Sequence, residues 1–412
     1  MQKFDVLIVG AGMVGLTLAL ALRKNSQLKI ALADTKAITE LSIEPEVRVS
    51  AINAASKQIF INLGVWSSMA KQRMQPYQHM HIWDKAGYGK VEFSATDAVH
   101  PLADNSQESN LGTIIENNVI RNALWQKAQA DEGITFFTDE AITNIGQGEN
   151  EVFASFSSQM PITAKLVVGA DGAHSWVRNK MNMPMAFRDY DHHAIVATIS
   201  CEQGHQDTAW QVFLSTGPLA LLPLFNKNLC SIVWSTSPDD AQRLLALSPE
   251  AFNKALTAAT DGKVGKITLE SERYTHPLTM RLAHDFIKEQ VVLVGDAAHT
   301  IHPLAGQGVN LGLLDAAALA QTLAENHGES VSSQKKQLKA FARWRKTEAS
   351  EMIAVMEMIK QTFTPQQKPL QILRGLGMTL LNKITPVKAQ LLKQALGYKS
   401  HLPELAKAQD EL

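Results

Sequence analysis

The feature that most constrains the fold is a glycine-rich loop near the amino terminus, set between a predicted strand and an apolar helix. Residues 4–9 form the strand, and the loop consists of Gly10, Ala11, Gly12, Met13, Val14 and Gly15. Gly10 would make the turn, Gly12 would leave room for a pyrophosphate, and Gly15 would allow close helix packing. A second predicted strand ends at Asp34, whose carboxylate would accept hydrogen bonds from a ribose hydroxyl. The loop therefore predicts Rossmann-type dinucleotide binding, with FAD and NAD both open.

A second stretch, residues 291–312, combines an apolar strand, an acid and a glycine-rich start of a helix. Asp296 follows the strand and would lie at the carboxyl edge of a parallel sheet, where ligands bind. Gly306 and Gly308 would let the backbone approach a ligand closely. A helix starting near Asn310 would direct free N–H groups at an anionic oxygen. The alternative is a tight strand-to-helix turn with a helix cap.

A third acid-after-glycine site lies in the stretch KLVVGADG, residues 165–172. Asp171 lies after this predicted strand, with Ser175 and Arg178 at a predicted helix start. An isolated Asp-Gly pair is most often a turn. Here it follows a buried-type strand and lies between the other two motifs in sequence, which favours a site.

Composition limits the classes of function. A length of 412 residues predicts two or three domains, and the net charge of −1 argues against nucleic-acid binding. Cys201 and Cys230 are the only cysteines and no CxxC occurs, which argues against a disulfide framework or a metal site and favours a reducing compartment. The amino terminus lacks a signal-peptide pattern, and no run of eighteen apolar residues occurs. We therefore expect a cytoplasmic protein, soluble or peripheral at the inner membrane face.

Together the three motifs resemble a known family. The loop at 10–15, GADGAHSWVR at 169–178 and GDAAHTIHPLAGQGVNLG at 295–312 are similar to the three signatures of the single-component flavin-dependent aromatic hydroxylases. RVSAIN at 48–53 resembles their ubiquinone-biosynthesis branch, the UbiH, UbiF and VisC type. Further stretches, among them SAINAAS, ALWQKAQ and HHAIVATIS, look most like the VisC type, which implies a polyprenylphenol substrate. The resemblance runs essentially from end to end.

The resemblance assigns all three glycine motifs to one FAD. It implies that Asp34 binds the adenosine ribose, that Arg48 and Arg121 bind the pyrophosphate, and that Asp296 binds the ribityl chain. Asp171 would bridge FAD and reduced nicotinamide. The backbone facing the isoalloxazine would come from a segment that includes Pro303, Gly306, Gln307, Gly308, Val309 and Asn310. The alternatives are a surface salt bridge for Arg48 and a helix-capping acid for Asp171.

The implied reaction uses FAD, O2 and electrons from NADPH or another reductant. A flavin C4a-hydroperoxide would hydroxylate the ring of a phenol, while the protein orients the ring and excludes water. His299 or His302 could assist phenol deprotonation, with packing as the alternative. Candidate pocket walls, each with a core alternative, are Phe213, Leu222, Pro223 and Trp234. Two other functions stay open: hydroxylation of a small soluble aromatic, and flavin binding without hydroxylase activity.

The predicted architecture is an α/β fold with a doubly wound, Rossmann-like FAD domain, an inserted antiparallel β-sheet substrate domain and a helical C-terminal segment. The FAD domain comprises residues 1–75, 111–180 and 282–335. The substrate domain comprises 76–110 and 181–281, where alternating strands are separated by Gly, Pro and Asn turns. Residues 336–412 form the C-terminal segment.

The C-terminal segment has an apolar stripe and a basic composition. Leucine, isoleucine and valine keep helical spacing from Leu373 to Leu391, although Pro386 should break the helix. Between Met358 and Leu402 there are seven Lys or Arg and no acid. Such a segment can lie on an anionic bilayer, dock on a partner such as a ubiquinone-biosynthesis complex, or pack on its own FAD domain. The oligomeric state stays open.

Overall fold

Three β-sheets and eleven α-helices organise the part of the chain that the structure describes. The computed structural model describes residues 1–42, 44–97, 110–301, 307–325, 331–364, 367–399 and 401–408. Its strands are β1 (Gln2–Val9), β2 (Ile30–Asp34), β3 (Val49–Ile52), β4 (Met74–Tyr77), β5 (His79–Asp84), β6 (Lys90–Ser94), β7 (Gly112–Glu116), β8 (Ile134–Thr138), β9 (Ile142–Gln147), β10 (Val152–Phe156), β11 (Ile162–Gly169), β12 (Met185–Cys201), β13 (Thr208–Leu214), β14 (Gly217–Pro223), β15 (Leu229–Thr236), β16 (Ile267–Leu269), β17 (Tyr274–Ala283), β18 (Ile287–Lys288), β19 (Val291–Leu293) and β20 (His299–Thr300). The helices are α1 (Met13–Asn25), α2 (Ala54–Asn62), α3 (Trp66–Ala70), α4 (Asn117–Gln129), α5 (Trp176–Lys180), α6 (Pro238–Ala246), α7 (Pro249–Ala259), α8 (Gln307–Glu325), α9 (Val331–Phe363), α10 (Lys368–Lys383) and α11 (Thr385–Ala395).

The first sheet runs in the order β18, β19, β11, β1, β2, β8, and β10 and β9 extend it from β11. The strands from β19 to β8 are parallel. Residues of a strand point alternately to opposite faces, so the run of buried residues in β1 means that both faces of the sheet are covered. Helix α1 packs on α8 through small and apolar side chains, including Ala19 and Ala317.

The second sheet has the order β20, β17, β12, β15, β14, β13, β5, β6, with β16 beside β12. Its ladders are antiparallel except for the parallel pair of β5 and β13. One face packs against α6 and α7. The other face meets a third, three-stranded sheet of β3, β7 and β4. These sheets and helices confirm the predicted fold class.

The chain crosses between the first and second sheets more often than the predicted domain ranges imply. The boundaries at 75/76, 281/282 and 335/336 fall inside β4, β17 and α9. Strand β20, which lies in the predicted FAD-domain range, pairs with β17 in the second sheet. The two sheets therefore share segments rather than being separated by clean linkers.

The C-terminal part of the chain contacts both the second and the first sheet regions. Helix α10 packs on β6 of the second sheet. The helix is interrupted between Lys383 and Thr385, as the position of Pro386 predicts. After α11, the side chains of Leu405 and Ala406 enter the core of the first layer. Among the helices that the structure describes, none is both long enough and apolar enough to cross a lipid bilayer.

Candidate functional site

Three of the sequence motifs meet at one edge of the first sheet. Strands β1, β11 and β19 are parallel neighbours, so their carboxyl ends lie together. Backbone hydrogen bonds continue past the strands, from the N–H of Ala170 to the carbonyl of Val9 (2.8 Å) and from the N–H of Val294 to the carbonyl of Gly169 (3.0 Å). Sites that are far apart in sequence therefore form one continuous edge.

The three glycines of the first loop occupy different surroundings. Gly10 has φ +107°, and a Cβ there would lie 2.5 Å from the carbonyl oxygen of Ala170. A Cβ on Gly15 would lie 2.0 Å from the carbonyl oxygen of Gly10. A Cβ on Gly12 would meet nothing within 4 Å, although Gly12 directly precedes α1. The space in front of Gly12 is thus open, and the first turn of α1 carries no acid, which suits an anionic phosphate.

Asp34 and Arg121 brace this loop from the side. The Asp34 carboxylate accepts hydrogen bonds from the N–H groups of Ala11 (2.7 Å) and Lys36 (3.0 Å). Arg121 donates from Nε to the carbonyl of Ala11 (2.9 Å), and its Nη2 lies 3.9 Å from Asp34 Oδ2. Both side chains remain partly exposed beside the loop. Met13 is half-buried, whereas the side chain of Val14 faces inward against Gly295 and Gly312.

Asp296 lies in a 3₁₀ turn, Gly295–Ala297, just after β19. Its side chain is exposed, yet it is surrounded by protein on several sides, as at the floor of a cleft. This surrounding protein raises the pKa of the Asp296 carboxyl, against the lowering effect of His299 and Arg48. Arg48, exposed beside β3, also lowers the pKa of His276 on the second sheet, where burial has the larger effect. Arg48 thus interacts electrostatically with both Asp296 and His276.

Asp171 is held by the helix that follows it. Its Oδ2 accepts a hydrogen bond from the N–H of Val177 (3.0 Å), so the capping role is present. Its Oδ1 is buried without a hydrogen-bond partner among the described residues. The buried Arg178 donates to the carbonyls of Ala297 (2.9 Å) and Ala173 (3.0 Å). Arg178 therefore ties the Asp171 loop to the turn that carries Asp296, a link that the sequence analysis did not predict.

A buried ionic cluster lies beneath the Asp296 turn. Asp315 accepts hydrogen bonds from His299 Nε2 (2.6 Å), Arg345 Nε (2.6 Å) and the N–H of Gly295 (3.0 Å). His299 is 1% exposed, which favours the packing alternative over contact with a substrate. No group of three or more metal-ligating side chains occurs in the described parts of the chain. Sequence reasoning missed Asp315 and Arg345, because they belong to ordinary helical patterns on α8 and α9.

Helix α8 begins at Gln307, earlier than the predicted start near Asn310. Gly308 and Val309 are half-buried in its first turn, and a Cβ on Gly308 would come no closer than 3.9 Å to Ile301. The buried Asn310 side chain accepts from the N–H of Asn53 (3.1 Å) and donates to the carbonyl of Ala51 (2.8 Å), so it joins α8 to β3. The predicted site residues that lie outside the described residues are His302, Pro303 and Gly306.

The four predicted pocket walls do not form one surface. Trp234 packs in the core beneath α6 and α7, whereas Leu222 lies on the opposite face of the same sheet, against the third sheet. Pro223 is buried, and Phe213 stacks on Phe363 of α9 with ring centroids 3.6 Å apart. These four candidates therefore do not line one pocket together, because successive residues along a strand point to opposite faces of the sheet.

Another set of residues shares the face of the second sheet that meets the third sheet. Val233 joins two apolar clusters, one with Leu222 against β3 and β7 and one with Tyr190 and Leu278. Ser231 donates to the carbonyl of Val47 (3.3 Å), next to Arg48. We call this surface the inner face; its residues are Tyr190, Ala194, Val233, His276, Leu278 and Met280. Period-two alternation could have grouped these residues, but it does not tell which face of the sheet turns towards Asp296.

The chain is similar in sequence to known proteins over most of its length. The sequence model of a protein family described as FAD binding domain matches residues 3–354. The 3-demethoxyubiquinol 3-hydroxylase of Escherichia coli (strain K12) is 33% identical over 400 residues, covering 96% of this chain and 99% of that protein. The mitochondrial ubiquinone biosynthesis monooxygenase COQ6 of Xenopus tropicalis is 30% identical over 440 residues, covering 94% of this chain and 92% of that protein.

Solved structures share the fold at lower identity. The p-nitrophenol 4-monooxygenase PnpA from Pseudomonas putida DLL-E4 has a TM-score of 0.77 at 17% identity, covering 98% of this chain and 100% of that one. PqsL of P. aeruginosa, solved in complex with 2-aminobenzoylacetate, has a TM-score of 0.74 at 18% identity, covering 92% and 100%. At these identities the likeness concerns the fold.

Proposed function

The chain belongs to the FAD-binding-domain family that includes the ubiquinone-biosynthesis hydroxylases, and from this premise we propose that it hydroxylates the ring of a polyprenylphenol in ubiquinone biosynthesis. The enzyme class is that of FAD-dependent aromatic-ring monooxygenases, which use O2 and a reductant such as NADPH. When bound and reduced, FAD supplies the oxygen-activating chemistry. The VisC-type stretches of the sequence are the argument for a polyprenylphenol rather than a later intermediate.

The proposed cofactor site uses the edge of the first sheet. The open space in front of Gly12 and the N-terminus of α1 would hold the pyrophosphate, with Arg121 nearby, and Asp34 would contact the adenosine ribose. The exposed Asp296 would accept hydrogen bonds from the ribityl chain. The backbone at the start of α8 would face the isoalloxazine. This assignment is supported by the fit of an anion to an acid-free helix start with no side chain in front of it.

The observation that carries the proposed reaction is the apolar inner face of the second sheet, which continues through Val233 into the cluster against the third sheet. Val233, Tyr190 and Leu278 supply apolar surface, and His276 of the same face interacts electrostatically with Arg48. An aromatic ring held there would lie between the cofactor edge and the second sheet, in a setting with few polar groups. The protein's task is to orient the ring and exclude water. Arg48 would contact either the cofactor or a phenolate oxygen.

Product analysis tests the proposed activity. The holoenzyme is incubated with NADPH, O2 and a polyprenylphenol, and the product is identified by mass spectrometry. We expect one added oxygen per ring and substrate-stimulated oxygen uptake. Turnover of a small soluble phenol without turnover of the prenylated one would favour a hydroxylase of soluble aromatics. Bound FAD without substrate-stimulated oxygen uptake would favour a flavin-binding module.

We further propose that the enzyme works in the cytoplasm at the inner membrane face, alone or within a ubiquinone-biosynthesis complex. A prenylated substrate partitions into the bilayer, so the enzyme must receive it at a lipid or protein surface. The basic C-terminal segment is the part of the chain suited to that contact.

A further inference from the structure

Helices α10 and α11 carry a continuous row of exposed apolar side chains. We call this row the outer stripe; its members are Ile372, Leu373, Leu376, Leu380, Ile384, Val387 and Leu391. Each is between 38% and 66% exposed. Single exposed apolar residues are normal on a protein surface, but a contiguous apolar patch marks an interaction site.

The orientation of α10 is fixed by its opposite side. Arg374 is buried and pairs with Asp84 at the end of β5, with Nη2 2.6 Å from Oδ2. Met378 and Gly375 pack against Gly89, where an added Cβ would lie 2.7 Å from the Met378 sulfur. Asn382 Oδ1 accepts a hydrogen bond from the N–H of Glu92 (3.0 Å). Because these contacts hold one side of the helix on the β5–β6 hairpin, the leucines of the outer stripe must point away from the protein.

The charges that α10 and α11 themselves carry are of one sign. Lys368 and Lys383 are exposed, Lys393 is half-buried, and none of the three forms an ion pair with a described residue. The other basic groups of the segment are engaged within the protein, including Lys388 with Asp97 (2.7 Å) and Lys399 with Glu348. No acid occurs between Met358 and Leu402. The free positive charge therefore comes from Lys368, Lys383 and Lys393, and Lys388 is not part of it.

We propose that the outer stripe lies on an anionic bilayer, with its leucines in the acyl region and the three lysines at the headgroups. This proposal rests on the proposed function, since a prenylated phenol is delivered from lipid. An apolar helical face bordered by lysine is the pattern of an interfacial helix. A two-fold dimer through the same stripe would bring like charges together, with no acid in the segment to pair with them.

The outer stripe adjoins the sheet that is proposed to hold the substrate. Arg374 joins α10 to Asp84 of β5, and its guanidinium carbon lies 5.1 Å from the ring centre of Phe363. Phe363 in turn stacks on Phe213 of β13, in the second sheet. A bilayer in contact with the outer stripe would therefore be separated from the second sheet by the single helix α10, so a prenyl chain could remain in lipid while its ring enters the protein.

Co-sedimentation of the full-length holoenzyme with vesicles tests the proposal. Wild type should bind vesicles of phosphatidylethanolamine and phosphatidylglycerol and bind phosphatidylcholine vesicles more weakly. One variant replaces Leu373, Leu376 and Leu380 with Ser; a second carries Lys368→Glu, Lys383→Glu and Lys393→Glu. Each lysine near an anionic surface contributes about fivefold to partitioning, so the charge-reversed variant should bind at least about 10-fold more weakly.

Matched controls carry the same changes elsewhere. Lys335→Glu, Lys336→Glu and Lys339→Glu reverse three exposed charges on α9, and Phe153→Ser with Met160→Ser removes exposed apolar groups from the first layer. Both controls should bind vesicles like wild type. FAD content and the hydroxylation of a short-chain phenol should be unchanged in every variant, which separates failure of this surface from failure of the proposed reaction.

Two results would overturn the proposal. One is vesicle binding that is absent in wild type, or that survives in both outer-stripe variants. The other is a wild type that is dimeric in sedimentation velocity, a serine variant that is monomeric, and no lipid binding by either protein. The outer stripe would then be an interface between two copies. Turnover of the long-chain substrate should fall only in the two outer-stripe variants.

Discussion

At the scale of single residues, substitutions in the first glycine loop should distinguish a loss of stability from a loss of cofactor binding. Gly15→Ala puts a Cβ 2.0 Å from the Gly10 carbonyl, so we expect a loss of stability at the upper end of ~1–3 kcal/mol. Gly12→Val places its side chain in open space at an ordinary φ of −81°, so the apoprotein should keep its stability to within about 1 kcal/mol. The same change should abolish FAD binding, because the side chain fills the space that is proposed for the pyrophosphate.

Urea unfolding of the two apoproteins and the flavin absorbance of the purified proteins measure both effects. The comparison uses apoprotein because bound FAD itself stabilises the folded state. A yellow Gly12→Val protein with the wild-type flavin content would contradict the proposed position of the pyrophosphate.

Asp296 gives a second prediction at this scale. Asp296→Ala removes a charged hydrogen-bond acceptor from the proposed ribityl site, which should cost ~1.5–3 kcal/mol of binding, or about 10- to 150-fold in the Kd for FAD. Fluorescence titration of the apoprotein with FAD measures the change. Asp285→Ala, at another exposed acid close by in sequence, is the matched control and should bind FAD like wild type. Equal affinities for the two variants would remove the proposed role of Asp296.

The glycines of the first loop and Asp296 could be proposed from the sequence because each follows a predicted apolar strand at a fixed spacing. Glycine is required at Gly15 by the carbonyl of Gly10 and at Gly10 by the neighbouring backbone of Ala170 and a φ of +107°, so the motif reports backbone geometry directly. Asp315 and Arg345 were not predicted, since a buried acid and a buried arginine on two helices look like solvated residues until the helices are packed. Phe213 and Trp234 were assigned to a pocket because an apolar residue on a strand gives no sign of the face it will meet.

At the scale of elements, the buried Asp315 holds α8, α9 and the Asp296 turn together. Removing one partner of a buried ion pair leaves a charge without compensation, so Arg345→Ala should lower the free energy of unfolding by about 3–5 kcal/mol. Urea unfolding measures it. Lys3→Ala, which removes an exposed pair with Glu151, is the control and should change stability by no more than about 0.5 kcal/mol. A decrease in the free energy of unfolding for Arg345→Ala as small as that of the control would mean that the cluster does not hold these elements together.

The same cluster predicts an acid dependence. Burial raises the pKa of the Asp315 carboxyl, but His299 and Arg345 outweigh it, so the folded-state pKa lies below the ordinary value. The stabilisation from Asp315 is therefore fully present above the unfolded pKa of about 3.9 and is lost as the pH falls through the folded value. The stability difference between wild type and Asp315→Asn should be constant near neutrality and shrink below about pH 4. Urea midpoints across that range test it; a difference that grows on acidification would contradict the assignment.

The order of elements could be predicted from sequence better than their ends. Strands β1, β11 and β19 are apolar throughout, which is typical of a sheet covered on both faces. Helix α8 begins at Gln307, earlier than predicted, with Gly308 inside its first turn rather than in the loop before it. The stripe on α10 and α11 was predicted from its spacing, but the side of the helix that packs is decided by Arg374 and Asp84, which are distant in sequence.

At the scale of the whole molecule, the second sheet depends on segments outside the predicted 181–281 insertion. Trp83 of β5 lies in the core with Trp210, and its Nε1 donates to Asp261 Oδ2 (2.9 Å). An isolated 181–281 fragment lacks this side chain, whose truncation alone should cost about 3–5 kcal/mol. We therefore expect the fragment to unfold without a cooperative transition, as measured by circular dichroism in urea.

The matched protein is the same fragment joined by a linker to residues 76–97, which restores β5 and β6. It should regain a cooperative transition, because the edge of β13 is then paired. A fragment that unfolds cooperatively without the hairpin, at the same urea midpoint as the linked form, would show that the second sheet is self-sufficient.

The parallel pairing of β5 with β13 also means that β5 is synthesised well before its partner strand. His79 pairs with Thr208, about 130 residues later in the chain. At ribosomal rates of about 5–20 residues per second, the β5–β6 hairpin leaves the ribosome about 6–26 s before its partner strand is made. During that interval one edge of β5 is open to any other nascent strand. The yield of native enzyme in a cell therefore depends on how long translation takes between these two strands, a quantity set by the messenger RNA and invisible in the finished fold.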